Sequence, residues 1–284
     1  MNIRILFLAV AGIAMAPAFA QESIPPACRQ DSRGEVDYKA CAAAAAPGSG
    51  ARSLALINLG TEAFMDGAYA EAVRLYDEAA PPGKEIKSDV RFHAYRGSAY
   101  QHVGRTGEAY KDAQFALGIL NGTANAPPEF SVPKDRQPTI YELILPILKA
   151  NRDPGLPGAL SAYSVLPAQT WIDWANRAAV LEQMDDLPAA VKANLEALKL
   201  APTHPAVLNN HCYILTRSGD AKSALPYCQK ALEAAPDQAA VHHSYASALA
   251  GAGQCAQANT ELEAARRLDP SSATYKKPLT CKPS

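Results

Sequence analysis

The sequence predicts an all-α solenoid of about five to six antiparallel helix pairs, and three observations lead there. The first is a fixed interval: Ala190, Ala224 and Ala258 recur every 34 residues, and Pro202, Pro236 and Pro270 keep the same spacing. Self-similarity at such a period marks a repeat architecture. The second is that each interval holds two stretches with apolar or small residues three and four apart, joined by a turn containing Gly or Asp. That spacing puts them on one face of a helix. The third is composition. A chain of 284 residues, 48% hydrophobic and 19% charged, has ample apolar material for a core.

Taken in order, residues 1–20 (MNIRILFLAVAGIAMAPAFA) carry one early positive charge at Arg4, an apolar stretch from Ile5 to Ala16, and small residues Ala18 and Ala20 before Gln21. This is the layout of a secretory signal cleaved after Ala20. The apolar run is short for a membrane anchor and is followed by Pro17. The first cysteine, Cys28, lies too far from the cleavage point for lipid attachment. The expected product is therefore exported with no membrane span, periplasmic or secreted. Residues 21–50 form an arm with Cys28 and Cys41, where AAAAAPGSG reads as a helix running into a flexible linker.

Residues 51–120 hold two units, INLGTEAFMDGAYAEAVRLYDEAAP and YRGSAYQHVGRTGEAYKDAQFAL. In residues 121–170 the pattern weakens. NGTANAPPEFSVPKDRQP reads as an exposed insertion, and TIYELILPILKA with LPGALSAYSVLP as a degenerate helix pair, although Pro146 interrupts its first helix. Residues 171–270 hold the three regular units, and 271–284 a terminal cap over the last of them. In the middle regular unit Leu208, Cys212 and Leu215 share the core face of the first helix. Ser218-Gly219-Asp220 forms the turn, with Asp220 capping a second helix that buries Ala224, Cys228 and Ala231. Pro226 predicts a bend in that second helix or a late start.

These residues resemble the tetratricopeptide repeat family. Trp174, Ala178, Leu181, Asp185, Ala190, Ala197 and Pro202 give one complete reading of its pattern. Gly60, Gly67, Ala72, Tyr76 and Ala79 give another, and Gly97, Tyr100, Gly104, Ala109 and Ala116 a third. The departures lie at the closing proline, early at Pro81 and Pro82 and missing near Asn121. The resemblance covers roughly residues 51–270. It implies a right-handed superhelix whose first helices line a concave surface suited to a protein or extended-peptide partner.

Carried onto this chain, the groove residues are Asn58, Tyr95 and Gln101, then Asn176, Glu182 and Gln183, then Asn209, Asn210, Tyr213 and Arg217, then His243. Asparagine recurs at one repeat position as Asn58, Asn176 and Asn210. Its amide both donates and accepts, so such a ladder can hold a peptide main chain; the alternative is a set of ordinary solvated helix residues. Only Arg217 is a well-placed cation, which argues against a carboxylate clamp.

Export makes six cysteines read as disulfides. Cys212 and Cys228 occupy positions that the repeat buries where its helices touch, so they can face each other as a staple; two buried free cysteines are the alternative. Elimination and chain proximity then pair Cys28 with Cys41 and Cys255 with Cys281.

Signs of catalysis are missing. The chain holds no GxSxG, HExxH, P-loop, dinucleotide fingerprint or CxxC. His211 is poorly aimed at Cys212, the adjacent pair His242-His243 diverges on a helix, and Asp185-Asp186 reads as turn and cap. No catalytic residue, metal or cofactor is expected. A net charge of −1, with no Lys/Arg run longer than two, excludes a phosphate-gripping field and so nucleic acid. The expected function is an exported protein- or peptide-binding scaffold. The alternatives are an enzyme with its site outside the regular repeats and an envelope protein that associates with itself.

Overall fold

The computed structural model describes residues 24–80, 90–123 and 132–281. The signal reading of residues 1–20, the prolines at 81 and 82, and residues 124–131 of the insertion lie outside them. Among the described residues there are fourteen α-helices and no strand. They fall into two compact units, within Met1–Ser131 and Val132–Ser284.

The first unit opens on a short 3-10 helix, Pro26–Cys28, and continues through α1 (Tyr38–Ala44), α2 (Gly50–Met65), α3 (Tyr69–Ala79), α4 (Val90–His102) and α5 (Thr106–Leu120). α2 pairs with α3 and α4 with α5. The expected flexible linker after α1 is a compact turn instead. Ala42, Ala45 and Ser49 are buried, and the Ser49 side chain accepts from Arg52 N to cap α2. Cys41, Ala42, Ala55, Leu56 and Leu75 form one apolar cluster, with Cys28 packed against it. A disulfide joins Cys28 to Cys41. The short alanine-rich helix thus gains its stability from packing, since its length alone would leave it marginal.

Close approach in this unit depends on Gly60. A Cβ there would lie 2.8 Å from the Tyr76 ring, which is fully buried and whose hydroxyl is 3.0 Å from Thr61 Oγ1. Gly60→Ala is expected to destabilise by about 1–2 kcal/mol, because overpacking outweighs the helix propensity that alanine adds. A urea titration of the variant beside the parent measures this, and an unchanged midpoint would show that the ring yields freely.

The second unit starts with a 3-10 turn, Lys134–Arg136, and α6 (Gln137–Ala150) paired with α7 (Leu156–Ser164). It continues as α8 (Trp171–Gln183) with α9 (Leu187–Leu200), α10 (Pro205–Arg217) with α11 (Ala221–Ala234), and α12 (Ala239–Gly251) with α13 (Cys255–Leu268). A last short helix, α14, spans Ala273–Lys276. The first helices begin at 171, 205 and 239, and α14 begins at 273, so the tail takes the place of a fourth first helix in the same 34-residue register.

The recurring alanines are the contact points of this stack. Ala178, Ala190, Ala197, Ala224, Ala231 and Ala265 have no exposed surface, and Ala258 has almost none. A larger side chain there would push the helices apart, which is why the spacing is so regular in sequence. Gly219 turns the chain between α10 and α11 at φ +86°, a left-handed conformation that glycine adopts without steric cost. Asp220 then accepts from Ser223 N to cap α11. Between α8 and α9 a non-glycine, Asp185, takes the left-handed position at φ +65°, and Asp186 caps by accepting from Ala189 N.

Of the two alternatives for Pro226, a bend or a late start, the second is set aside. α11 starts at Ala221 and runs through Pro226 to Ala234, so its start is not late. Leu215 is half-buried and packs on the Cys212, Ala224 and Cys228 cluster, while Ile214 is buried in a separate cluster with Ala178 and Leu181 of α8 and Ala190 of α9. Cys212 and Cys228 are joined by a disulfide, with Cα atoms 5.0 Å apart and both residues essentially inaccessible. Cys255 is joined to Cys281, which leaves no free cysteine among the described residues.

Candidate functional site

The residues assigned to a partner surface do not share one environment. In the first unit Asn58 is half-buried, and its Nδ2 donates 2.8 Å back to Leu54 O of its own helix. Tyr95 stands edge-on to Phe64, with ring centroids 5.4 Å apart, and Gln101 Oε1 is buried without a hydrogen bond.

In the second unit Asn176 and Gln183 are exposed on α8. Glu182 is buried and forms an ion pair with Arg217, whose Nη2 also donates to Asp185 Oδ1 at 2.9 Å. Lys149 of α6 completes the cluster by pairing with Asp185. Hydrogen bonds from Lys149 and then Arg217 hold the Asp185 carboxyl below the usual carboxylate range. Arg217 therefore spends its charge on joining α8 to α10, and Glu182 is its counterion. Both are expected on the partner surface; Glu182 is buried, while Arg217 stays exposed beside the turn carboxylate Asp185.

The structure brings Asn209, Asn210, Tyr213 and His243 together. They line a pocket of about 280 Å³ with Ala240 and Ser244 of α12 and with Ser272, Thr274 and Tyr275 of the tail. Asn209 Oδ1 is buried without a hydrogen-bond partner among the described residues. The His243 ring lies 5.0 Å from the Tyr275 ring, and burial pulls its imidazole below the ordinary histidine range, favouring the neutral form. Every lining side chain is then an uncharged donor, acceptor or small apolar group.

The tail wall is firmly held. Arg266 donates to three successive carbonyls, Tyr275 O at 2.7 Å, Lys276 O at 3.2 Å and Lys277 O at 3.4 Å. Asp269 Oδ1 accepts from Ser271 N and Ser272 N, and Leu279 with Cys281 packs on the Leu249, Ala250 and Ala258 cluster. Sequence reasoning had named none of the three tail residues. The signal was the period itself, since one further interval of 34 from α12 falls on α14.

His242 and His243 diverge. His242 is 2.6 Å from Glu261 Oε2 and 2.9 Å from Pro236 O, well away from the pocket role of its neighbour. His211 is buried, with its ring edge-on to Tyr227 at 4.5 Å, and burial lowers its pKa. Among the described residues no group of three or more His, Cys, Asp and Glu side chains is placed to hold a metal ion. No described helix is long and apolar enough to cross a membrane.

Stacked helix pairs whose first helices present a shared, side-chain-lined face define a helical-repeat protein. The tetratricopeptide repeat family model matches residues 215–277. The fold agrees with solved structures of that kind. One is a tetratricopeptide repeat protein from Parabacteroides merdae, at 14% identity and a TM-score of 0.59, over 84% of this chain and 88% of that one. Another is PilW, described as a widely conserved type IV pilus biogenesis factor, at 15% identity and a TM-score of 0.55, over 79% and 96%. The chain thus matches tetratricopeptide repeats over residues 215–277 and shares the fold of solved proteins of that kind. No curated protein sequence matches it.

Proposed function

We propose that this is an exported scaffold that holds an extended segment of another protein along the first helices of its second unit, at the pocket between α10, α12 and α14. The observation that carries the reading is the uncharged, hydrogen-bonding lining contributed by Asn209, Asn210, Tyr213, His243 and Tyr275. A peptide main chain is itself a neutral row of donors and acceptors, so such a wall can hold it without selecting for charge. Export is supported by the pairing of all six cysteines, a pattern suited to an oxidising compartment. The role as scaffold rather than enzyme rests on the repeat fold.

The test is site-specific photo-cross-linking. A photoreactive residue in place of the exposed Tyr213, used in envelope extract, is expected to capture a partner whose cross-linked peptide is a single extended segment. The pair Asn209→Ala and Asn210→Ala, folded by circular dichroism, is expected to abolish that capture. Equal capture by the parent and the asparagine variant would reject the pocket as the binding site.

A further inference from the structure

The second unit carries another depression, built mainly from second helices, with Leu208 of α10 also in its lining. α9 and α11 both pack on α10, and a cavity of about 480 Å³ lies where they border it, lined by Leu195, Leu198, Leu208 and Tyr227. Lys192 and Lys199 of α9 and Lys230 of α11 form its rim. Leu195 is 41% exposed, an apolar side chain left uncovered in the middle of this lining.

The charges on the rim are unbalanced. Glu196 is the one acid in the lining, and it pairs with Lys199 at 2.6 Å. Lys192 and Lys230 have no ion pair among the described residues, so they leave net positive charge over an apolar floor. The chain as a whole has a net charge of −1, so this positive edge is local rather than a consequence of composition.

We infer that the α9–α11 groove is a second docking site, separate from the pocket proposed above, and that it takes an acidic amphipathic helix of a partner protein. Leucines on one face of such a helix would cover Leu195 and Leu198, and its flanking glutamates or aspartates would meet Lys192 and Lys230. The shape decides against an anionic bilayer. The leucines line a depression, which a helix can enter, whereas a membrane requires apolar side chains that protrude beyond the lysines.

The test uses a labelled synthetic peptide of about 18 residues, some five helical turns, with leucines at i, i+3, i+4 and i+7 and glutamates on both flanks. Its partner probe has lysines in place of the glutamates, and vesicles of phosphatidylglycerol in phosphatidylcholine form a third arm. By fluorescence anisotropy the acidic peptide is expected to bind, more weakly as salt rises, and the lysine peptide is not. The double variant K192E/K230E is expected to weaken binding by about tenfold, in keeping with two lost, partly solvated charge pairs. Leu195→Ser should weaken it without changing the salt dependence. All three positions are solvent-facing, and a melting curve confirms folding. Equal affinity of the parent and K192E/K230E for the acidic peptide, or vesicle binding without peptide binding, would overturn the assignment. Asn209→Ala/Asn210→Ala should leave this binding intact, which separates failure here from failure of the pocket.

Discussion

Replacing Asp112 with alanine is expected to destabilise the first unit by about 3–5 kcal/mol, the cost of leaving a buried charge without its partner. Asp112 is 4% exposed on α5 and receives a forked pair of bonds from Arg96 of α4, Nε to Oδ2 at 2.7 Å and Nη2 to Oδ1 at 2.8 Å. His93 Nδ1 lies 2.7 Å from the same Oδ1. Arg96 reaches on to Ala80 O at 3.2 Å and stacks over Phe92, so one carboxylate ties together α3, α4 and α5. Urea unfolding followed by circular dichroism should show the loss, and Asp112→Asn, which keeps the shape and one acceptor, should lose less.

The same carboxylate sets an acid limit. Burial alone would raise its pKa, but the bonds from Arg96 and then His93 outweigh burial and leave it below the usual aspartate value. A carboxyl depressed in the folded state contributes stability that is fully present above the unfolded pKa, about 4, and lost as pH falls through the lower folded value. The stability gap between the parent and Asp112→Ala should therefore be wide at neutral pH and narrow below about pH 4. A gap that stays constant as the pH is taken well below 4 would mean that the cluster acts through packing alone.

How much of this was legible in sequence follows from what the 34-residue period records. It records helix-to-helix contacts, so the turn at Gly219, the cap at Asp220 and the buried alanines could be read directly. It does not record which polar side chains meet across successive helices. Arg217 and Glu182 stand at positions expected to face a partner, yet Asp185, held left-handed in the turn between α8 and α9, joins Arg217 in an ion-pair network. The Arg96–Asp112 pair was missed for the same reason: its members are 16 residues apart on two helices, and neither departs from an ordinary helical composition. The flexible linker was misread because composition favours disorder in AAAAAPGSG, while tertiary burial of Ala42 and Ala45 against α2 overrides it.

The double variant Cys212→Ala/Cys228→Ala is expected to lower the stability of the second unit by about 3 kcal/mol, the loop-closure value for a cross-link of this span. The bond joins α10 to α11 across 16 residues, and the two side chains are packed with Ala224 and Ala248. It therefore constrains the unfolded chain and sits where the third repeat meets the second. Releasing Cys255–Cys281 should act differently. That bond spans 26 residues but holds only the tail, so Cys255→Ala/Cys281→Ala should mainly speed hydrogen exchange in α14 and loosen the wall that Tyr275 gives the pocket. The two variants thus separate staple from clamp. Urea midpoints report the first effect and amide exchange in Ala273–Lys276 the second. A Cys212/Cys228 variant as stable as the parent would show that the helix pair is fixed by alanine packing alone, and that the covalent link adds nothing to it.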